Sequence, residues 1–311
     1  MIPIDGLLTL TAGPYTAKIL PSLGGQVLSL CKNGVPILHE PENEATLQQK
    51  STWYGLPILF PPNRIDGGKF ETSERAYSFP VNEPNRGNSL HGFLHSRPWQ
   101  VKEQTESSIT LTYCLTPEGD FYEYYPHPFY MEQRYELSEE GLKQELVLCN
   151  TGEETMPVGL GQHSAFYAPK PDRIYASVGK RILMSERMLP TGEVRELNED
   201  EKRFREGGMQ VDAWAMDDHY TVEPLLRDGK PFHGAIIERE AGTVYYEVDS
   251  FYQHWMIWNA EGKNDFICIE PQNWRVNAPN LVSSGMSKEE AGFTELAPEQ
   301  ELHIFTKLSM E

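Results

Sequence analysis

The chain has 311 residues, with 27 Lys and Arg against 46 Asp and Glu and a formal charge of −19. That balance argues against nucleic acid and anionic membranes as partners, because both are held by clustered positive charge. Hydrophobic residues at 39% and charged residues at 23% place the chain among soluble globular proteins rather than disordered ones.

The segment Met1–Asp5 has neither a basic n-region nor an apolar h-region, so no secretory leader is expected. No apolar run approaches the roughly 18 residues of a membrane-spanning helix. Asn33-Gly34, between Val27–Cys31 and Val35–Leu38, predicts a two-residue hairpin. Tyr54–Pro62 is an apolar strand that runs into the glycine turn after Asn63-Arg64. Ile109, Leu111, Tyr113 and Leu115 alternate with smaller or polar residues, and Leu142, Leu146 and Leu148 share a face interrupted by Gln144. The charged stretch 198–208 reads as a surface excursion with one or two helical turns in 199–204, and 288–291 as another turn. Tyr245-Tyr246 opens a further strand, and Leu302–Phe305 closes the chain.

No helical period persists and no repeat or break in composition appears. The expected architecture is therefore all-β, a large antiparallel sandwich or barrel with few short helices, in a single domain over 1–311. Cys31, Cys114, Cys149 and Cys268 lie in apolar segments without a CxxC pair, which predicts buried thiols and a cytoplasmic location.

Three polar-tipped strings carry titratable groups. Glu270 ends the apolar run Phe266–Ile269 and precedes Pro271, which is expected to stop the strand. Partial desolvation there would raise its pKa toward the range of a general base; the alternative is an ion pair at a sheet end. His163 stands between a glycine-bearing segment and Phe166-Tyr167, suiting a ring-sized pocket or a satisfied core histidine. His91 precedes Gly92, which permits a close backbone approach. His95 invites a metal reading with His91, but Gly92 and Pro98 oppose a helix and no third ligand is evident, so no metal is expected. Arg64, beside Asn63, offers several donors to ligand oxygens or to one of the many acids. Gly67-Gly-Lys69 is not a phosphate-binding P-loop, and neither GxGxxG nor GxSxG appears where it would carry function.

Taken in order, Pro57–Pro61, Asn63-Arg64-Ile65 with Gly68 and Phe70, Leu90-His91-Gly92-Phe93 and Pro98-Trp99 resemble the N-terminal half of the aldose 1-epimerase (galactose mutarotase) superfamily. His163-Ser-Ala-Phe166, Leu189–Glu193, Asp217-Asp-His-Tyr220 and Ile269-Glu270-Pro271 with Asn277–Asn280 continue the resemblance over nearly the whole chain. It implies a galactose mutarotase-like supersandwich with a sugar cleft on a concave face, and interconversion of α and β anomers without cofactor. Glu270 would be the general base at the C1 hydroxyl and His163 the general acid at the ring oxygen. His91, Arg64, Asn63 and Asp217 would bind the sugar, with Asp218 a rival for the last position. The string His91-Gly-Phe93 is closer to the branch that includes LacX-like proteins and hexose-6-phosphate epimerases.

The implied ligand is a hexose, and the implied assembly a monomer or homodimer. A hexose-6-phosphate 1-epimerase would need cations at the cleft, with Arg86, Arg97 and Arg275 as candidates. A non-catalytic carbohydrate-binding protein would need no matched acid and base, and a glycosidase would need a second carboxylate. If the epimerase reading holds, Glu270 and His163 face one cleft about a sugar ring apart, and Phe166, Trp255 or Trp258 forms an aromatic wall.

Overall fold

In the computed structural model, which describes residues 4–311, the period-2 runs are antiparallel strands; Met1–Pro3 of the segment read for a leader lie outside the described residues. Ser108–Leu115, Phe129–Ser138, Gly141–Asn150 and Glu301–Met310 are consecutive neighbours in an eight-stranded sheet. Val244–Val248, Gly234–Glu238 and Arg173–Ala176 extend it on one side and Gln100–Gln104 on the other. The second eight-stranded sheet runs Pro190–Arg195, Val178–Met184, Asp217–Val222, His254–Trp258, Phe266–Gln272, Gly161–Gln162, Ile58–Leu59, with Ala165–Tyr167 as the eighth strand, also paired to Phe266–Gln272. A smaller sheet forms from Leu8–Ala12, Tyr15–Leu20, Gln26–Lys32 and Val35–Pro36. This is the expected large antiparallel sandwich, with three short α-helices among the described residues.

One continuous apolar core joins the two large sheets. Met131, Tyr135, Leu146 and Leu148 from the first pack in the same cluster as Tyr220, Trp255, Ile257, Ile267 and Ile269 from the second. Each fully buried Leu or Ile contributes about 1.5–3 kcal/mol by leaving water. Gln144, the residue that breaks the leucine face, lies inside this core. Its amide donates to Gln133 Oε1 (2.9 Å), while its Oε1 accepts from Gln162 Nε2 (2.5 Å) and Thr306 Oγ1 (3.1 Å). The interruption is thus a polar tie between the sheets, satisfied because each partner is itself a hydrogen-bonding side chain.

The Asn33-Gly34 hairpin forms, with φ of 50° and 80° at the two turn residues and Cys31 opposite Pro36. Several expectations are corrected. The stretch 198–208 is mostly exposed, as expected, and carries the 3-10 turn Glu201–Phe204, but it is pinned at two points: Phe204 is fully buried against Trp214 and Tyr220, and Glu201 accepts from Arg195. Helical turns Glu44–Gln49 and Ala278–Ser283 had no periodic signal, being too short to show one. Of the four cysteines only Cys268 is buried; Cys114 is exposed and the other two are half-buried, and all four are unpaired. Among the described residues no helix is long and apolar enough to cross a membrane.

Candidate active site

The second sheet builds the site through strand register. Asp217 pairs with Trp258, and Met256 with Glu270, so these four side chains share one face of three adjacent strands. Pro271 does not end its strand, which continues to Gln272. The N–H groups of Ile269 and Asn273 donate to Ser164 and Leu160. Pro271 stands between them, opposite the gap separating Gly161–Gln162 from Ala165–Tyr167, where no donor is required. That gap is where His163 leaves the ladder and turns toward Glu270.

The Nε2 of His163 lies 3.2 Å from Glu270 Oε1, and both side chains are almost wholly buried. Direct contact replaces the expected ring-width separation. O1 and O5 of a pyranose are both bonded to C1, so neighbouring groups can serve both oxygens and no span across the ring is needed. Burial raises the Glu270 carboxyl well above the ordinary range, Asp217 raises it further, and Arg64 partly opposes them. Burial likewise lowers the His163 imidazole, to about 3. Both shifts favour an uncharged pair, a carboxylic acid against a neutral imidazole, that holds one transferable proton. Glu270 Oε2 and His163 Nδ1 are buried without a protein partner.

A second wall comes from the chain before and after the hairpin of Arg64–Asp66 with Asn88–Leu90. Asn63 adopts φ of 54°, and its Oδ1 accepts from the Arg64 backbone N–H at 3.0 Å. Its carbonyl accepts from His91 N (2.9 Å), and His91 also has positive φ, 64°. Gly92 is required where it stands: a Cβ there would lie 2.0 Å from the carbonyl oxygen of Phe60. The His91 ring is edge-on to His163 at 5.1 Å, and burial holds its pKa well below the usual value.

Arg64 is gripped by Glu83, a residue that no sequence motif marked. Its Nε and Nη2 donate to the two Glu83 oxygens at 2.9 and 3.0 Å, and Asp217 Oδ2 lies 3.8 Å from Nη2. Glu83 also accepts from Arg86 Nη1 (2.9 Å) and Asn88 Nδ2 (3.0 Å). Burial alone would raise the Glu83 pKa, but the donors from Arg64, Asn88 and Arg86 outweigh it and hold the group below its ordinary value.

Asn63, Arg64, Arg86, His91, His163, Asp217 and Glu270 line a cleft of about 410 Å³ that also includes Thr52, Trp53, Leu90, Met216, Trp258 and Glu261, with Glu83 behind it. Of the aromatic candidates only Trp258 lines it. Phe166 and Trp255 are fully buried on the opposite, core-facing side of their strands, Phe166 against Tyr246 and Trp255 bonded to Ser177. Trp53, on the 3-10 turn Ser51–Trp53, packs edge-on against Trp258 at 4.8 Å and was not anticipated. Asp218 is excluded by alternation: it faces away, held by Arg181 at 2.5 Å and by Trp214 Nε1 at 2.8 Å. Arg97 pairs with Asp120 and Arg275 with Glu290, both outside the cleft, leaving only Arg86 of the three cations proposed for a phosphate. His95 approaches Ser51 at 3.4 Å, and among the described residues no group of three His, Cys, Asp or Glu is gathered to hold a metal.

The family model described as Aldose 1-epimerase matches residues 6–290. The chain belongs to the aldose 1-epimerase family. A galactose mutarotase-like protein from Clostridium acetobutylicum superposes on this family member with a TM-score of 0.93, at 34% identity, covering 98% of this chain and 95% of that one. A galactose 1-epimerase from Lactobacillus acidophilus NCFM has the same fold, with a TM-score of 0.72 at 14% identity over 98% and 94% of the two chains. Among proteins of Escherichia coli K12, the uncharacterized YihR is 31% identical over 160 residues, and that match spans about half of either chain. The uncharacterized YphB is 23% identical over 256 residues, 80% of this epimerase-family chain and 82% of its own.

Proposed function

We propose that this protein interconverts the α and β anomers of an unphosphorylated hexose by acid–base ring opening, with residues 1–311 acting as one catalytic unit. The observation that carries the reading is the His163–Glu270 contact inside a cleft flanked by Trp53 and Trp258. Glu270 takes the proton from the C1 hydroxyl as the C1–O5 bond breaks, and His163 delivers its proton to O5. The open aldehyde rotates about C1–C2, after which the carboxylic acid returns a proton to the carbonyl oxygen while O5 closes on the other face and gives its proton to His163. Atoms and charge balance without metal, nucleophile or cofactor. The ring-open state carries the uncharged pair that burial favours, whereas opening starts from the ionised pair that burial disfavours in the empty site. His91, Arg64, Asn63 and Asp217 bind the hydroxyls, and the tryptophans cover the apolar faces of the ring.

A phosphorylated hexose is disfavoured by charge. Arg86 and Arg64 are already engaged by Glu83, while Asp217, Glu261 and Glu270 make the cleft acid-rich. Saturation-transfer NMR on glucose and galactose tests the reading. Wild type accelerates anomer exchange, and Glu270→Gln abolishes it; exchange accelerated only for glucose 6-phosphate would overturn the substrate assignment, and no acceleration on any of the three would leave a binding role.

A further inference from the structure

A second cavity, of about 450 Å³, opens on the same face of the second sheet, and Val222, Pro224, His233, Tyr252, His254 and Arg275 are among its lining residues. His254 and Trp258 lie four residues apart on one strand, so the cavity is about 13 Å along the sheet from the sugar cleft. A cluster of Leu189, Met256 and Val276 stands between them.

Arg275 distinguishes this cavity. Its side chain is only 4% exposed, yet its one acidic neighbour, Glu290, is 3.5 Å from Nη1, and its Nε meets no acceptor. Other buried guanidiniums of the chain are better served. Arg64 has both carboxylate oxygens of Glu83 within 3.2 Å. Arg239 donates to the carbonyls of Pro36, Ile37 and Tyr167 and lies 3.3 Å from Asp172. A buried cation with unfilled donors carries a large desolvation cost unless an anion completes its shell. His233 presents a second polar atom, Nε2, buried and unpartnered.

We propose that this cavity binds a small organic oxyanion, a phosphate monoester or a carboxylate, with its charged group on Arg275 and its body against Val222, Pro224 and Tyr252. The unpartnered Nε2 of His233 supplies a second hydrogen-bonding position. Glu290, largely exposed on the turn Lys288–Ala291, competes with the ligand for the guanidinium.

Calorimetric titration of the full chain with phenyl phosphate, inorganic phosphate and benzoate tests this. Wild type binds an organic anion at millimolar concentration, and the order of phenyl phosphate and benzoate identifies the preferred head group. Glu290→Gln tightens binding about twofold to fivefold, the worth of a half-exposed ion pair. Arg275→Gln weakens it tenfold or more. The proposal is overturned if wild type binds none of the three, if Glu290→Gln leaves affinity unchanged, or if binding is competitive with glucose, which would put the anion in the sugar cleft. Should Arg275→Gln fail to fold, the exposed Glu290→Gln variant decides alone.

Discussion

Glu83 takes both Nε and Nη2 of Arg64, at 2.9 and 3.0 Å, and so fixes the plane of a guanidinium whose Nη2 stands 3.8 Å from Asp217 at the sugar cleft. A fork held at two points cannot rotate, and the orientation of Arg64 is therefore set before a ligand arrives. Glu83→Gln keeps the shape but removes the charge that aligns the fork. Steady-state kinetics on the preferred hexose should show KM raised about tenfold with a smaller change in kcat. A drop confined to kcat would remove Glu83 from the positioning of Arg64.

The shared proton between His163 and Glu270 predicts strong non-additivity. Each single substitution, His163→Asn or Glu270→Gln, should reduce kcat by about 10²–10⁴-fold. The double variant should lose little beyond the worse single one, because neither group works in ring opening without the other. Effects that multiply would show that the two act in separate steps.

Asp217 and Asp218 should separate cleanly by readout. Asp217→Asn should raise KM and leave the thermal midpoint nearly unchanged, since the carboxyl lines the cleft and is 31% exposed. Asp218→Asn should lower stability by about 1–3 kcal/mol, because it strips a half-buried arginine, Arg181, of its nearest charged partner while Glu201 and Tyr220 remain. Denaturant unfolding alongside sugar kinetics checks both, and the reverse pattern would reassign the cleft residue.

Stability should fall as pH drops below neutrality. Burial lowers His95, His127 and His254 to about 4 and His163 to about 3, against an ordinary value of 6.5. Their folded pKa values are depressed, so the unfolded chain binds more protons between about 6.5 and 4, and the contribution is fully present above that window. It is lost progressively as pH falls through it. Thermal midpoints from pH 7 to 5 should decline, with proton uptake on unfolding; a flat profile would mean these imidazoles are solvated.

The local pattern of this chain carried the all-β architecture. Alternation at Ile109–Leu115 and Leu142–Leu148 specifies strands because side chains on a strand have period 2, and Asn33-Gly34 specifies a turn because both positions need positive φ. The same local reading marked Glu270, His163, His91 and Arg64, each beside a glycine, a proline or a strand end, the family resemblance added Asn63 and Asp217, and all six line one cleft.

Tertiary structure alone decided everything that depends on which strand lies beside which. The 3.2 Å contact of His163 with Glu270 joins residues 107 positions apart. It exists because Pro271 faces a gap in the neighbouring strand, a coincidence no local pattern encodes. Glu83 and Trp53 carry no motif; an isolated bridge to Asn88 brings Glu83 to Arg64, and the packing of the turn Ser51–Trp53 brings Trp53 to Trp258. Phe166 and Trp255 stand with Trp258 as candidates for an aromatic wall, but strand alternation turns both into the core. The surrounding register, not the residue type, determines which face a strand side chain meets.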